Sequence, residues 1–174
     1  MGRIQHTLVM GVAGTGKSTL AETLKERKIL AIDGDYDQGI AYWKNKKTAK
    51  VVTNIHSIFG FQVKFYEWRW NIDRLSEFLD HSVDPVTVCG TADNRHEAYD
   101  LFSNIFVLTC AQDIISDRLK TRTNNSFGKL SSHRKQVALD NIEMLDEAKQ
   151  NGFHIIDTTG LTPSQVADHV LSTK

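Results

Sequence analysis

Gly11-Val12-Ala13-Gly14-Thr15-Gly16-Lys17-Ser18-Thr19 contains a glycine, four residues, then Gly-Lys-Ser. That spacing has a chemical use. Glycines let the backbone curl until successive N–H groups point at one anion, and a helix starting at Gly16 adds the partial positive charge of its N-terminus. In such a loop Gly11, Ala13, Gly14, Thr15, Gly16, Lys17, Ser18 and Thr19 surround the phosphates of a nucleoside triphosphate. Lys17 reaches the β- and γ-phosphates, and the Ser18 hydroxyl holds Mg²⁺.

Three further groups have types suited to handling a phosphoryl group. "AIDGDYD" places Asp33 and Asp35 where the second apolar run ends, at the edge where α/β sheets bind ligands. A carboxylate there can orient an acceptor hydroxyl, accept its proton, or hold Mg²⁺ through water. In "DRLKTRTNNSFGK" Arg118 and Arg122 stand one helical turn apart and are expected to project from one face. The polar continuation reads as a flap, over residues 118–133, that closes cations over the transferring group. After the last apolar run, Asp157 and Thr158 begin a polar loop placed to meet an adenine base through backbone groups.

Acceptor-binding candidates are more scattered. "AYWKNKK" and "YEWRW" mix aromatic and basic residues inside a long stretch, about residues 36–75, that exceeds a normal crossover and reads as an acceptor-binding insertion. Trp68 can line a flat site or, with Trp70, pack a helix over 68–80. Asn71 is expected on that helix's face, while Asn94 and Arg95 follow the third apolar run at the same sheet edge. The seven histidines show no His-Glu-x-x-His spacing and no cysteine partner, so a transition-metal site is not expected.

The elements that must position these residues are legible from periodicity. Runs at 6–10, 28–32, 86–89, 105–110 and 153–157 are almost continuously apolar, as strands covered on both faces are. Helical patterns follow the first and fourth runs, precede the third, and cover 131–152 up to Gly152. "LTPSQV" combines Thr162 as N-cap, Pro163 at the first helical position and Gln165 of a capping box. Alternating strands and helices imply a parallel sheet in a three-layer α/β/α domain, one domain over 1–174.

Composition narrows the class. Basic and acidic residues balance at 21 each, which argues against a nucleic-acid partner. No apolar run approaches the ~18 residues of a membrane span, and the N-terminus lacks a secretory pattern. The two cysteines, Cys89 and Cys110, each end an apolar run and read as buried hydrophobes in a reducing cytoplasm. The Asn-Lys-x-Asp guanine reader of GTPase switches is absent, since "NKKT" lacks the aspartate.

At the phosphate loop, the Asp-x-Asp, the Arg-x-x-x-Arg flap and the "DTTGLTPSQVADHV" ending, taken in order, the chain resembles the P-loop nucleoside and nucleotide kinase-like superfamily. That group includes adenylate, shikimate and gluconate kinases. The resemblance implies a five-stranded parallel sheet in order 2-3-1-4-5, with Arg118 on or near the adenine and Arg122 at phosphate. "VTVCGTADNRH" replaces the glycine triplet of shikimate kinases, and there is neither their arginine-proline element nor a long zinc-type lid. The expectation is an ATP- and Mg²⁺-dependent phosphotransferase, monomeric or homodimeric, acting on a small acceptor. A nucleoside or nucleotide is preferred, with a shikimate or gluconate type or an ATP-gated binding module as alternatives. In this reading Asp33 is the leading carboxylate, with Asp35 close behind. Lys17→Ala is expected to abolish ATP binding, measured by calorimetry; unimpaired binding contradicts the loop's role.

Overall fold

The computed structural model describes residues 4–52, 63–123 and 127–173. The expected insertion and flap therefore lie partly outside the described residues, at 53–62 and 124–126. The elements run β1 (Thr7–Gly11), α1 (Lys17–Glu26), β2 (Ala31–Asp33), β3 (Ala41–Asn45), β4 (Val51–Val52), β5 (Tyr66–Trp70), α2 (Ile72–Asp80) and β6 (Thr87–Cys89). They continue through a 3-10 segment (Arg95–Leu101), β7 (Asn104–Thr109), α3 (Gln112–Thr121), α4 (Ser131–Asn151), β8 (His154–Asp157) and α5 (Pro163–Ser172).

β2, β6, β1, β7 and β8 form one parallel sheet in that order. Numbered among themselves these strands are 2-3-1-4-5, as the resemblance implied. Alternate residues feed opposite layers. Leu8, Met10, Ile32, Val88 and Val107 pack with Leu75 and Leu79 of α2, Ile115 and Leu119 of α3, and Val137 and Met144 of α4. Val9, Phe106 and Leu108 pack on Leu20 and Leu24 of α1 and Val166 and Val170 of α5. Burial on both faces explains the unbroken apolar character of β1, β2, β6 and β7; β8 departs from the expectation, because as an edge strand it leaves His154, Ile155 and Asp157 exposed. Gly152 closes α4 in the left-handed region, at φ 70°, and Thr162 and Gln165 complete the capping box of α5.

One element departs from the expected pattern. Residues 68–80 are not a single helix: Tyr66–Trp70 is a strand, and the helix starts only at Ile72. β5 pairs antiparallel with β3, which pairs with β4, so the insertion contains a three-stranded ribbon. Trp43 lies opposite Trp68, and Ala41 opposite Trp70. Cross-strand aromatic packing and the β preference of tryptophan outweigh the helical pattern that begins immediately downstream. The change of direction falls at Asn71, whose side chain accepts the Arg74 N–H and caps α2.

The ribbon is fixed to the sheet by the segment after β6. Trp68 N–H donates to Asp93 Oδ2 (2.8 Å), and Asp93 N–H donates back to Trp68 O (2.7 Å). The buried Asn94 amide brackets Trp70, accepting its N–H at 2.8 Å and donating to its carbonyl at 3.0 Å. Arg69 pairs with Glu97 at 3.0 Å, and Arg95 pairs with Glu147 of α4. Asn94→Ala leaves two backbone groups of Trp70 without partners in a buried place, which costs about 2–4 kcal/mol. Urea unfolding should show that loss; a change within about 0.5 kcal/mol, the range of neutral surface substitutions, means the ribbon is held by other contacts.

Candidate functional site

The loop between β1 and α1 is built for close backbone approach. A Cβ on Gly11 would lie 2.5 Å from Thr15 Oγ1 and 2.8 Å from the Leu108 carbonyl oxygen, so no larger residue fits. Gly14 and Gly16 adopt φ values of 93° and 104°, in the region that glycine alone enters freely. Gly16 is the N-cap of α1 and no side chain caps the helix, nor does its first turn hold an acidic residue. The N-terminal amide donors of α1 therefore keep their affinity for an anion.

Around this loop the side chains hold shape or face outward. Thr15 Oγ1 and Lys17 Nζ both donate to the Val12 carbonyl, at 2.8 and 3.2 Å. Ala13 is half-buried, and Ser18 and Thr19 are exposed on the first turn of α1. Lys17 is 8% exposed, and its partner is a carbonyl rather than a carboxylate. Thr158 supports the loop from the far end of the sheet: its buried hydroxyl reaches the Thr15 carbonyl (3.2 Å) and the Thr109 carbonyl (2.9 Å). Its N–H also donates to the Thr109 carbonyl at 2.8 Å. Asp157 is exposed, and hydrogen bonds from the Thr159 hydroxyl and then its N–H hold the carboxyl below the usual range.

The two carboxylates at the end of β2 have different surroundings. Asp33 is 6% exposed, and its Oδ1 accepts the Asp35 N–H at 3.0 Å, forming a tight turn. Its own N–H goes to Asp37 Oδ2 at 2.9 Å, which lowers the Asp37 pKa; Lys25 of α1 holds the same oxygen at 3.1 Å. Asp37 is thus a structural tie that the sequence reading missed, four residues beyond Asp33. Asp35 points toward the sheet's carboxyl edge, where its Oδ1 accepts the Thr91 N–H (3.1 Å) and the Trp68 indole N–H (3.3 Å). Burial raises the Asp35 pKa, with Asp33 adding to the rise; the charge of Lys17 and the two hydrogen bonds oppose it.

Other expected site residues have moved roles. Arg118 and Arg122 stand one turn apart at the end of α3, where the Arg122 N–H donates to the Arg118 carbonyl at 3.0 Å, and the chain leaves the helix after Arg122, at ψ 146°. Arg118 Nη1 donates to the Gly14 carbonyl at 3.0 Å, on the phosphate loop itself. Arg122 donates to the Phe127 carbonyl and lies 5.9 Å from that ring's centre. Its Nε is buried without a hydrogen-bond partner, and burial lowers its pKa, a tendency opposed by Tyr36. Asn71 is a helix cap, Asn94 a ribbon clamp, and Arg95 is held by Glu147 and the Ala92 carbonyl. All three side chains are hydrogen-bonded within the protein. Trp68 lines the site edge, its ring 4.9 Å from that of Trp43 and tilted by 50°.

The family described as "AAA domain" matches residues 8–139, which include the loop, both carboxylates and both arginines. No curated protein sequence matches the chain. Among solved structures, it is similar to an unliganded sugar kinase from Janibacter sp. HTCC2649 (TM-score 0.57, 17% identity, covering 97% of this chain and 93% of the other). It is also similar to a gluconokinase from Sinorhizobium meliloti 1021 (0.57, 16%, 99% and 92%). A thymidylate kinase from Candida albicans is a third (0.55, 16%, 98% and 90%). These likenesses show the fold alone, the one these three kinases share. Among the described residues no helix is long and apolar enough to cross a membrane.

The raised Asp35 pKa has a stability consequence. The folded state holds the proton more tightly than the unfolded one, so stability falls as pH rises from the ordinary value of 3.8 through the higher folded value. Above that window the ionised group is a cost. Asp35→Asn should therefore raise the melting temperature at pH 7, with the gain vanishing near pH 3.8. A variant destabilised at both pH values contradicts this account of the carboxylate's surroundings.

Proposed function

This chain belongs to the AAA-domain family, and from that premise we propose that it is an ATP-dependent phosphotransferase acting on a small-molecule acceptor. One observation carries the reading. An open phosphate loop and a partly buried carboxylate share the sheet's carboxyl edge, and the charge of Lys17 acts directly on Asp35. A phosphoryl group on the loop and an acceptor hydroxyl on Asp35 would then meet in one place.

The residues divide the work as follows. The N–H groups of the loop and the end of α1 bind the β- and γ-phosphates, and Lys17 turns from the Val12 carbonyl to the γ-phosphate. Arg118, anchored on Gly14, adds charge beside the loop. Arg122, whose buried Nε has no hydrogen-bond partner among the described residues, is held in reserve for the transferring group. Asp35 orients the acceptor hydroxyl and takes its proton, while Asp33 holds the backbone of Asp35 in place. This exchanges the order expected from sequence, where Asp33 led.

The exposed Ser18 hydroxyl suits Mg²⁺, which takes few protein ligands and completes its shell with phosphates and water. Bound there with the nucleotide, Mg²⁺ supplies charge neutralisation on the phosphates. Among the described residues there is no group of three or more His, Cys, Asp or Glu side chains that could cage a metal alone, consistent with a shared ligand set.

A nucleoside or nucleotide is the favoured acceptor, because Trp43 and Trp68 offer flat faces beside Asp35. A sugar or sugar acid is the second reading, supported by the names of two structural neighbours. We read the protein as cytoplasmic and monomeric or homodimeric. ADP release from Mg-ATP, with pooled nucleosides, nucleoside monophosphates, sugar acids and shikimate-like alcohols, tests the reading, with Lys17→Ala as blank. One pool should stimulate release, and Asp35→Asn should lower kcat about 100-fold while ATP affinity holds. A flat response across all pools, with ATP bound, favours a nucleotide-gated binding module instead.

A further inference from the structure

At the junction between ribbon and sheet, contacts from both converge on one carboxylate oxygen. Asp35 Oδ1 accepts two hydrogen bonds, from Thr91 N–H and Trp68 Nε1–H. Thr91 belongs to the segment that fixes the backbone of Trp68, because Asp93 bonds to both its N–H and its carbonyl. The contacts close a ring running from Asp35 to Thr91, along the chain to Asp93, across to Trp68, and back through the indole to Asp35. Space around the ring is tight. A Cβ on Gly90 would lie 3.1 Å from Asp35 Oδ1 and 3.1 Å from the Trp70 indole, and one on Gly34 would lie 3.1 Å from Val88. Asp35 therefore has little freedom to turn independently of the ribbon.

We propose that Trp68 is a positioning residue for the reaction, holding Asp35 by its indole N–H so that one carboxylate oxygen is fixed and the other faces the acceptor. This rests on the phosphotransfer reading of the site and goes beyond it. The insertion does more than offer an aromatic wall: through β5 it sets the angle of the group that receives the acceptor's proton. Both donors converge on Oδ1, and no described donor bonds to Oδ2. An acceptor pressing on the Trp43–Trp68 pair acts on the carboxylate through a single hydrogen bond. Stacking in the insertion and proton transfer at the sheet edge are thereby coupled.

The test separates this role from mere packing. Trp68→Phe keeps an aromatic ring against Trp43 and deletes the indole donor. It should lower kcat about tenfold, the effect of losing one hydrogen bond to a charged group, with the acceptor KM changed less than threefold. Trp68→Ala should raise KM as well. The contact can also be read without turnover: the chain has three tryptophans, hence three indole N–H resonances, and the one missing in Trp68→Phe belongs to Trp68. In Asp35→Asn that resonance should shift upfield while the other two hold. A kcat for Trp68→Phe equal to wild type, or a rise in KM alone, overturns the proposal. So does a Trp68 resonance that ignores Asp35→Asn. A shifted resonance with no turnover on any acceptor supports the hold on Asp35 and sinks the phosphotransfer reading instead.

Discussion

The amide donors at the start of α1 have no partners of their own, and much of the molecule is arranged to leave them so. A helix begins with several unsatisfied N–H groups, which natural sequences usually cover with Ser, Thr, Asn or Asp at the N-cap. Here the cap is Gly16 at φ 104°, and nothing lies within 4 Å of where its Cβ would be. The cost of an uncapped helix is offset only when an anion arrives. Strain in the loop is contained meanwhile by Thr15 folding onto Val12 and by Thr158 reaching across from the end of β8. The parallel sheet serves this arrangement: β1 at its centre, buried on both faces, delivers the loop to the carboxyl edge with little freedom to shift.

A second constraint follows. The antiparallel ribbon reaches the same sheet edge through Trp68, whose indole N–H donates to Asp35. Its attachment is made of buried polar contacts, chiefly Asn94 around Trp70 and Asp93 around Trp68. Polar contacts of this kind have fixed geometry, whereas apolar packing tolerates sliding. The carboxylate, the ribbon and the segment after β6 thus form one rigid corner. Charge is distributed to match: Asp35 sits under the influence of Lys17, while the buried Nε of Arg122 has no hydrogen-bond partner among the described residues.

The parts legible in the sequence were those determined locally. The phosphate loop is a contiguous pattern whose glycines are each required by backbone geometry, and the five sheet strands, four of them buried and β8 an exposed edge, show as five apolar runs. The capping box of α5 is likewise complete within four residues. What escaped depends on partners far along the chain. "YEWRW" has too few residues to display alternation, and the helical spacing of Ile72, Leu75, Phe78 and Leu79 extended over it; only pairing with β3 makes it a strand. Asn94, Arg95 and Asn71 looked like free polar groups at a sheet edge because Trp70, Glu147 and the start of α2 could not be seen as their partners. The different partners of Arg118 and Arg122, the Gly14 and Phe127 carbonyls, could not be read from their spacing either. The preference between Asp33 and Asp35 turned on Thr91 and Trp68, dozens of positions away.

The central claim is that the group gripped by the loop leaves ATP for an acceptor held at Asp35. The most direct measurement follows the γ-phosphoryl group itself. ATP labelled at that position is incubated with the protein, Mg²⁺ and a small-molecule extract, and the products are separated. The account predicts label in a new organic phosphate, absent with Lys17→Ala and strongly reduced with Asp35→Asn. Label confined to inorganic phosphate, or remaining in ATP while ATP is demonstrably bound, contradicts it.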